Sequence, residues 1–479
     1  MKRNRWFGLI VSAVLLLSII YPTGAFAESK RTLQDESIYD LLVDRFNNGN
    51  YENDENTDAK DLSGFTGGDF AGVTSKLDYI AELGFTLVSV GPVFSATTYD
   101  GNEVLDYEEI EPHFGTTSEF IEMIEALDEK ELGLVVDFPL SGVSENHAWV
   151  KDGTLASIAN GDGTVNWDTT DAKVKETLKS TIVAFVEEYD LAGIRLTRLG
   201  DIDEAFLNEV IAALKEVNKE LYVLSNEAST ANFDTVPNVE KMEALKQAYV
   251  QVDPATSPLS LFEDKAETDL IQFDDLVGPR FTYEMFQLRM FPPTRWKMAA
   301  VALFTLPGVP VLPYGSEIAV NGKEAPESHP ISNFKTDMEL YDYITNLNIL
   351  RNSSETLRNG DFEILHNEDG FTVFTRTSDE ETWIVALNNT SETGSLEISE
   401  ELIGDKKRLR GVLDGDMIRQ SKDGKYRLVL EREVTEIYIA DEDKGFNTLY
   451  LIASILIYAL FLGFLFSIWR KGKKSRMAK

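Results

Sequence analysis

The feature that most constrains the fold is a regular alternation of short apolar runs with helical patterns. From Glu36 onward the chain reads SIYDLLVDRF, KLDYIAELG, FTLVSVGPV, FIEMIEALDEKELG and LVVDFP. Strand and helix patterns that alternate at this spacing predict parallel βαβ units. Further strand candidates are GIRLTRL, LYVLSNEA, DLIQFDD and VPVLPYG, and AYVQVD at Ala248–Asp253 is taken as the sixth strand. The sequence therefore predicts an α/β fold, a (β/α)8 TIM barrel over residues 28–352.

Two further segments interrupt or follow this alternation. A Gly-rich stretch at about 140–171, after the third strand, predicts a small inserted subdomain. After residue 352 closely spaced strand patterns with turn residues between them predict an antiparallel β-sandwich over 353–440, followed by a linker at 441–448.

Both termini carry apolar segments. Residues 1–27 have a basic start, an apolar core and Ala25-Phe26-Ala27 at the end, which is typical of a signal peptide; an uncleaved anchor is the alternative. Residues 449–469 form an apolar run, and a basic tail follows at 470–479, which predicts a transmembrane helix with a cytoplasmic C-terminus. We therefore expect a single-pass protein of the cell membrane with its N-terminal ectodomain outside.

The charge balance limits the partners of the chain. It has 45 Lys and Arg against 81 Asp and Glu, a formal net charge of −36, and no Cys. A surface this acidic repels nucleic acid, so we expect no nucleic-acid partner. Neutral ligands or a membrane protein partner are the expectations that remain.

The run LAGIRLTRLGD at Leu191–Asp201 is the place where chemistry is expected. Its pattern is that of a buried barrel strand closed by Gly200, and catalytic side chains project from the C-terminal ends of such strands. Arg195 and Thr197 are two residues apart, so both point to the barrel mouth.

A loop near the first strand has the composition of a cation site. Oxygen-bearing side chains are concentrated there, a glycine is able to offer its carbonyl, and Ca²⁺ takes six to eight oxygen ligands. The alternative is that Asn and Gly simply build turns. The candidate ligands are Asn48, Asn50, Asn53, Asp54, Gly67 and Asp69.

Several longer motifs resemble one known family. VDRFNNGNYENDENT, FTGGDFAGVTSKLDYIAELGFTLVSVGPVF, EPHFGTTSEFIEMIEAL and LFTLPGVPVLPYGSEI are similar to segments of the α-amylase family, glycoside hydrolase family 13. The pattern is closest to the branch of cyclodextrin glucanotransferases and maltogenic amylases. The resemblance implies the barrel, the inserted subdomain, a structural calcium ion at the candidate ligands above, and a neutral α-glucan or oligosaccharide as the ligand.

The catalytic motifs depart from the family pattern. The resemblance assigns Glu227 to the acid/base position, and Asp137 and Arg195 are retained. The nucleophile position reads Thr197, and the position of the transition-state-stabilising Asp reads Val277. Three expected histidines are replaced, by Asp100, Gly142 and Leu276.

These departures leave three hypotheses open. The leading one is an amylase-like pseudoenzyme that binds glucan without hydrolysing it. The second is a divergent hydrolase or transglycosylase in which Asp137, Asp201 or Asp275 has become the nucleophile. The third is a scaffold ectodomain of a membrane complex. For Arg195 we expect an ion pair with Glu227, Asp137 or Asp201, because a buried guanidinium without a carboxylate is costly.

Overall fold

The computed structural model describes residues 31–263, 269–443 and 448–476, so the predicted signal peptide lies outside the described residues. The chain divides into two compact units. The first comprises Met1–Val239, Ala266–Arg280 and Gly308–Asn352, and the second comprises Glu240–Lys265, Phe281–Pro307 and Ser353–Lys479.

A seven-stranded parallel sheet forms the centre of the first unit. The strands of this unit in chain order are β1 (Ile38–Asp40), β2 (Leu87–Ser89), β3 (Phe94–Ala96), β4 (Val104–Ile110), β5 (Gly133–Pro139), β6 (Val143–Ser144), β7 (Ser157–Ala159), β8 (Thr164–Trp167), β9 (Gly193–Thr197), β10 (Tyr222–Ser225), β11 (Leu270–Ile271) and β12 (Val309–Pro313). The order within the sheet is β10-β9-β5-β2-β1-β12-β11. Because β1 pairs with both β2 and β12, the first and last strands of the barrel are neighbours, as in a closed barrel.

The sixth position of the ring is reduced to two bridges. Thr235 forms a parallel bridge with Leu224 of β10, and Pro237 forms one with Leu270 of β11. The predicted sixth strand at Ala248–Asp253 is wrong, because Ala248 and Tyr249 lie in a helix and its buried side chains follow helical spacing. The segment at 235–237 occupies that position instead.

The barrel interior is lined by aliphatic side chains from the strands, which is why the strand sequences read as almost continuous apolar runs. The buried cluster contains Leu33, Ile38, Leu87, Val135, Leu224, Leu270, Val309 and Val311. After β5, the short strands β6, β8 and β7 form a separate antiparallel sheet inside the segment predicted as an insertion.

Several helices begin at polar capping residues and bury one face. Before the helix Glu204–Val217, for example, the Asp203 carboxylate accepts a hydrogen bond from Phe206 N at 2.9 Å. In chain order the α-helices are α1 (Val43–Phe46), α2 (Phe70–Thr74), α3 (Leu77–Glu82), α4 (Thr117–Asp128), α5 (Ala148–Lys151), α6 (Ala172–Glu188), α7 (Glu204–Val217), α8 (Val239–Tyr249), α9 (Phe281–Gln287), α10 (Pro292–Thr305), α11 (Glu339–Ser353), α12 (Glu355–Asn359), α13 (Glu400–Ile403) and α14 (Thr448–Arg476). Short 3-10 helices cover Leu33–Asp35, Tyr51–Asn53, Leu259–Phe262 and Ser316–Ile318.

The second unit contains an antiparallel β domain. Its strands are β13 (Asp361–Glu368), β14 (Phe371–Thr377), β15 (Thr382–Asn388), β16 (Gly394–Ser399), β17 (Lys407–Gly411), β18 (Met417–Arg419), β19 (Lys425–Leu430) and β20 (Val434–Glu442). Six of them form a sheet in the order β13-β14-β15-β20-β17-β18, and β16 pairs with β19. Side chains from both sheets, such as Val373 and Leu428, share one buried core.

The prediction of a membrane-spanning protein is contradicted. A span requires about 20 consecutive apolar residues. In the part of the chain that the structure describes, no helix combines the length and the hydropathy needed to cross a bilayer. The predicted transmembrane segment at 449–469, and the placement in the cell membrane that depended on it, are therefore corrected.

Candidate functional site

The C-terminal ends of four barrel strands bring the predicted catalytic positions together. Asp40 is the last residue of β1, Asp137 lies near the end of β5, Arg195 and Thr197 lie on β9, and Glu227 follows β10. Parallel strands end at the same rim of the barrel, so these side chains share its mouth.

Arg195 lies between two carboxylates. Its Nε and Nη2 donate to the two oxygens of Asp137 at 2.6 and 2.8 Å. Its Nη1 and Nη2 also donate to the oxygens of Asp40 at 3.1 and 3.0 Å. The predicted pairing with Asp137 is therefore present, and Asp40 is a second partner. We call Asp40, Arg195 and Asp137 the arginine clamp.

The clamp is buried, which determines its titration. Burial raises the pKa of Asp137, while the guanidinium of Arg195 opposes that shift. Burial also disfavours the charged form of Arg195, but the attraction of Asp137 and Asp40 outweighs it and raises the pKa of the guanidinium. The arginine consequently stays charged, and its hydrogen bonds are committed to the two aspartates.

Thr197 and Glu227 stand beside the clamp without joining it. Thr197 is only 2% exposed, and its hydroxyl has no hydrogen-bond partner among the described residues. One oxygen of the partly exposed Glu227 carboxylate accepts from Leu199 N at 3.3 Å. The predicted acid/base position is therefore linked to the loop after β9 and not to Arg195.

The remaining catalytic motif follows β11. Val277, at the position of the expected transition-state carboxylate, is 79% exposed. Asp274 is buried and pairs with Arg280, whose Nε donates to its Oδ2 at 2.8 Å. The carbonyl of Leu276 is bound by Nε2 of His329 at 2.7 Å, and Nδ1 of the same ring contacts the Tyr99 hydroxyl at 2.9 Å.

The loops after β5 and β9 pack directly on each other. The Ser141 hydroxyl donates to the Arg198 carbonyl at 2.6 Å. A Cβ built on Gly142 would lie 2.7 Å from Cζ of Arg198. The guanidinium of Arg198 thus fills the space that a side chain at position 142 would need. Asp100, at another position where a histidine was expected, accepts hydrogen bonds from Thr98 and Asn102 in its own turn.

In the candidate calcium loop, three of the predicted ligands converge. Nδ2 of Asn48 donates to both oxygens of Asp54, at 2.9 and 3.0 Å. A Cβ built on Gly67 would lie 2.6 Å from Oδ1 of Asp54, and the backbone there has φ +98°. The amide oxygens of Asn48 and Asn53 are buried and have no hydrogen-bond partner among the described residues.

Asp69 and Asn50 complete the loop but are already engaged. Asp69 accepts hydrogen bonds from the backbone of Gly49, Asn50 and Gly72. Burial raises the pKa of Asp69, and the charge of Asp54 adds to that shift. Nδ2 of Asn50 donates to Glu119 at 2.8 Å. Within the described ranges, no group of three or more His, Cys, Asp or Glu side chains is arranged to hold a metal.

Two groups at this site were not found from the sequence. Asp40 ends a predicted strand, and strand order alone would have predicted its position at the barrel mouth. The contact of His329 with the Leu276 carbonyl joins segments 53 residues apart, and no spacing signal indicates it.

Comparison with known proteins identifies the family. The model of the α-amylase catalytic domain matches residues 40–164, and that of the α-amylase C-terminal domain matches residues 360–438. The crystal structure of an Anoxybacillus α-amylase is similar, with 33% sequence identity and a TM-score of 0.82, covering 87% of this chain and 100% of that chain. The chain belongs to the α-amylase family.

More distant relatives fit the same assignment. The β/α-amylase of Paenibacillus polymyxa is 24% identical over 450 residues, which cover 84% of this chain but only 38% of that protein. The cyclomaltodextrinase of Geobacillus thermopakistaniensis is 24% identical over 424 residues, covering 76% of this chain and 70% of that protein. The fold of this chain is a TIM barrel followed by a β domain.

Proposed function

We propose that this protein binds an α-glucan or oligosaccharide at the barrel mouth without hydrolysing it. The observation that carries the proposal is Thr197, a buried hydroxyl at the position where retaining glycosidases need a nucleophilic carboxylate. A threonine hydroxyl requires an adjacent base to become a nucleophile. Thr197 Oγ1 has no hydrogen-bond partner among the described residues, so no such base is in contact with it.

The carboxylates considered as substitutes are engaged elsewhere. Both oxygens of Asp137 accept hydrogen bonds from Arg195, and burial of this pair makes its separation costly. Asp275 accepts from the backbone N–H groups of Val277 and Gly278, at 2.9 and 2.6 Å, and so shapes its own turn. Asp201 is exposed in the turn after β9. These arrangements favour the non-hydrolytic function over a divergent hydrolase.

The ligand class rests on the relatives. The names of the cyclomaltodextrinase and the α-amylase refer to α-glucans, and the likeness to both extends over most of this chain. The acidic surface is compatible with a neutral sugar and not with a polyanion. The scaffold hypothesis required a membrane span, which the described residues do not supply.

We further propose that the loop at 48–69 holds a structural calcium ion. The support is chemical: two carboxylates, Asp54 and Asp69, lie near the buried amide oxygens of Asn48 and Asn53, for which the described part of the chain provides no hydrogen-bond partner. Ca²⁺ takes carboxylate, amide and backbone carbonyl oxygens, and Gly67 offers the last kind. Bound there, the ion would fix the loop that precedes α2.

Turnover of maltooligosaccharides by the purified protein tests the proposed function. We expect no hydrolysis above background, because loss of the nucleophile from a cooperating set costs a factor of about 10⁴ to 10⁶ in rate. The same sample should still bind maltotriose, as measured by calorimetry.

The matched variant for this test is Glu227→Gln, which removes the acid/base carboxylate and preserves its shape. If the unmodified protein turns over at about 1 to 10³ per second and the variant does not, the protein is an active hydrolase and the proposal is wrong.

A further inference from the structure

Arg198 is a positively charged residue at the barrel mouth. It follows β9 directly and has a left-handed backbone conformation, φ +52°. Non-glycine residues rarely adopt that conformation, so the surrounding structure must hold it in place. The Ser141 hydroxyl does so by donating to the Arg198 carbonyl. The side chain is thereby directed over Gly142 and remains partly exposed.

The guanidinium of Arg198 packs over Gly142. Among the described residues it forms neither an ion pair nor a side-chain hydrogen bond. The buried arginines of the same unit differ in this respect, since Arg195 pairs with Asp40 and Asp137, and Arg280 pairs with Asp274. In a chain with 36 more acidic than basic residues, an unpaired arginine next to a candidate ligand site is a specific feature.

We propose that the barrel mouth recognises a sugar that carries an anionic group, a phosphate or a carboxylate, and that Arg198 binds this group. The inference rests on the proposed sugar-binding function and specifies its ligand. Arginine suits the role because its planar fork of N–H donors matches both anions in a bidentate geometry. With Arg195 saturated by its two aspartates, Arg198 is the cation available for a ligand.

The neighbouring carboxylates form no ion pair with Arg198 among the described residues, although the charges of Asp162 and Arg198 attract each other. Glu227 accepts a hydrogen bond from Leu199 N, and Asp162 accepts from the backbone and hydroxyl of Thr164 at 3.0 and 2.7 Å. Position 197, where the family has a carboxylate nucleophile, holds a neutral threonine. Among the described residues, no carboxylate in direct contact with Arg198 would therefore compete with an anionic ligand.

The test compares dissociation constants for glucose, maltotriose, glucose 6-phosphate, glucuronate and inorganic phosphate, measured by calorimetry on the full chain. We expect the anionic sugars to bind at least about tenfold more tightly than uncharged glucose, which is the gain of one charge-assisted contact. Arg198→Asn should remove this preference, and Arg198→Lys should retain part of it. Asparagine is chosen because it tolerates a positive φ and so preserves the loop.

The matched control is Arg432→Asn, which removes an exposed arginine of the second unit. It should leave every constant unchanged. The inference is overturned if the anionic sugars bind no better than glucose, if Arg198→Asn leaves their preference intact, or if inorganic phosphate binds as tightly as the sugar phosphates. Binding of maltotriose without a preference for anions would overturn this inference alone. Hydrolysis of maltooligosaccharides would instead overturn the proposed function.

Discussion

At the scale of single residues, the barrel interior shows how buried charge is neutralised. Arg195 is 7% exposed and makes four hydrogen bonds to two carboxylates, and Arg280 is fully buried against Asp274. Removing one partner of a buried pair leaves an uncompensated charge, which costs more than the pair contributes. The arginine clamp is therefore a point at which a single substitution has a large effect on stability.

We expect Arg195→Met to destabilise the barrel by about 3 to 5 kcal/mol at neutral pH, since Asp40 and Asp137 would then be buried together without a countercharge. The loss should shrink as pH falls. Burial already raises the pKa of Asp137 in the presence of Arg195, and removal of Arg195 raises it further, so protonation relieves the repulsion early in an acid titration. Urea unfolding followed at several pH values measures both effects.

Asp40→Asn serves as the comparison, because Asp137 keeps both of its hydrogen bonds to Arg195 in that variant. It should cost clearly less than Arg195→Met. Equal losses for the two variants, or a loss for Arg195→Met that grows toward acid pH, would show that the clamp is not the source of the effect.

At the scale of elements, the loop between α1 and α2 contains buried polar atoms for which the described residues provide no partner. The amide oxygens of Asn48 and Asn53 are buried and have no partner among the described residues, although buried polar atoms almost always have one. The amide nitrogen of Asn53 does have a partner, because its Nδ2 donates to the His113 carbonyl at 3.0 Å. An ion bound by these oxygens would account for the unsatisfied atoms.

Calcium should accordingly raise the melting temperature of the protein, and a chelator should lower it. An ion that binds only the native state stabilises it by mass action, about 2.7 kcal/mol at a concentration 100 times its dissociation constant. Asn53→Ala should abolish the calcium response in differential scanning calorimetry, and Asn48→Ala should do the same. Asn160→Ala, at an exposed site of the inserted sheet, provides the control. A melting temperature that is unaffected by chelator would mean that the loop is only a turn.

The elements also show what sequence patterns can and cannot predict. The barrel follows from the alternation of strands and helices, because buried parallel strands require apolar runs such as LVVDFP. The sixth strand was misplaced because Ala248, Tyr249 and Val250 are buried at the end of a helix and read equally well as a strand. The true segment at 235–237 makes only two bridges, too short for a periodic signal.

Only part of the candidate site could be predicted from the sequence. The positions of Asp137, Arg195 and Glu227 follow from their place at strand ends, and Asp40 could have been added by the same rule. The packing of Arg198 over Gly142 depends on two left-handed backbone conformations, φ +52° and +63°. Neither a motif nor a spacing encodes that contact.

At the scale of the whole molecule, the family's activity depends on residues that several loops contribute together. In this chain the loop after β5, the end of β9 and the loop after β11 each depart from the family pattern, at Gly142, Thr197 and Val277. Catalytic groups that act as a unit are strongly non-additive, so restoring some of them recovers little. On the proposed non-hydrolytic function, the departures are therefore distributed over the barrel mouth.

We expect the double variant Thr197→Asp and Val277→Asp to remain at background hydrolysis of maltooligosaccharides, for a steric and an electrostatic reason. The guanidinium of Arg198 occupies the space over Gly142 where the family places a histidine, so the sugar would still lack that contact. A new carboxylate at 197 would also be a further buried negative charge, because position 197 is 2% exposed and the guanidinium of Arg195 is already committed to Asp137 and Asp40. Adding Arg198→Ala and Gly142→His to the double variant should raise the rate above background, whereas adding Arg432→Ala should not. Substantial turnover by the double variant alone would show that Arg198 does not obstruct the site.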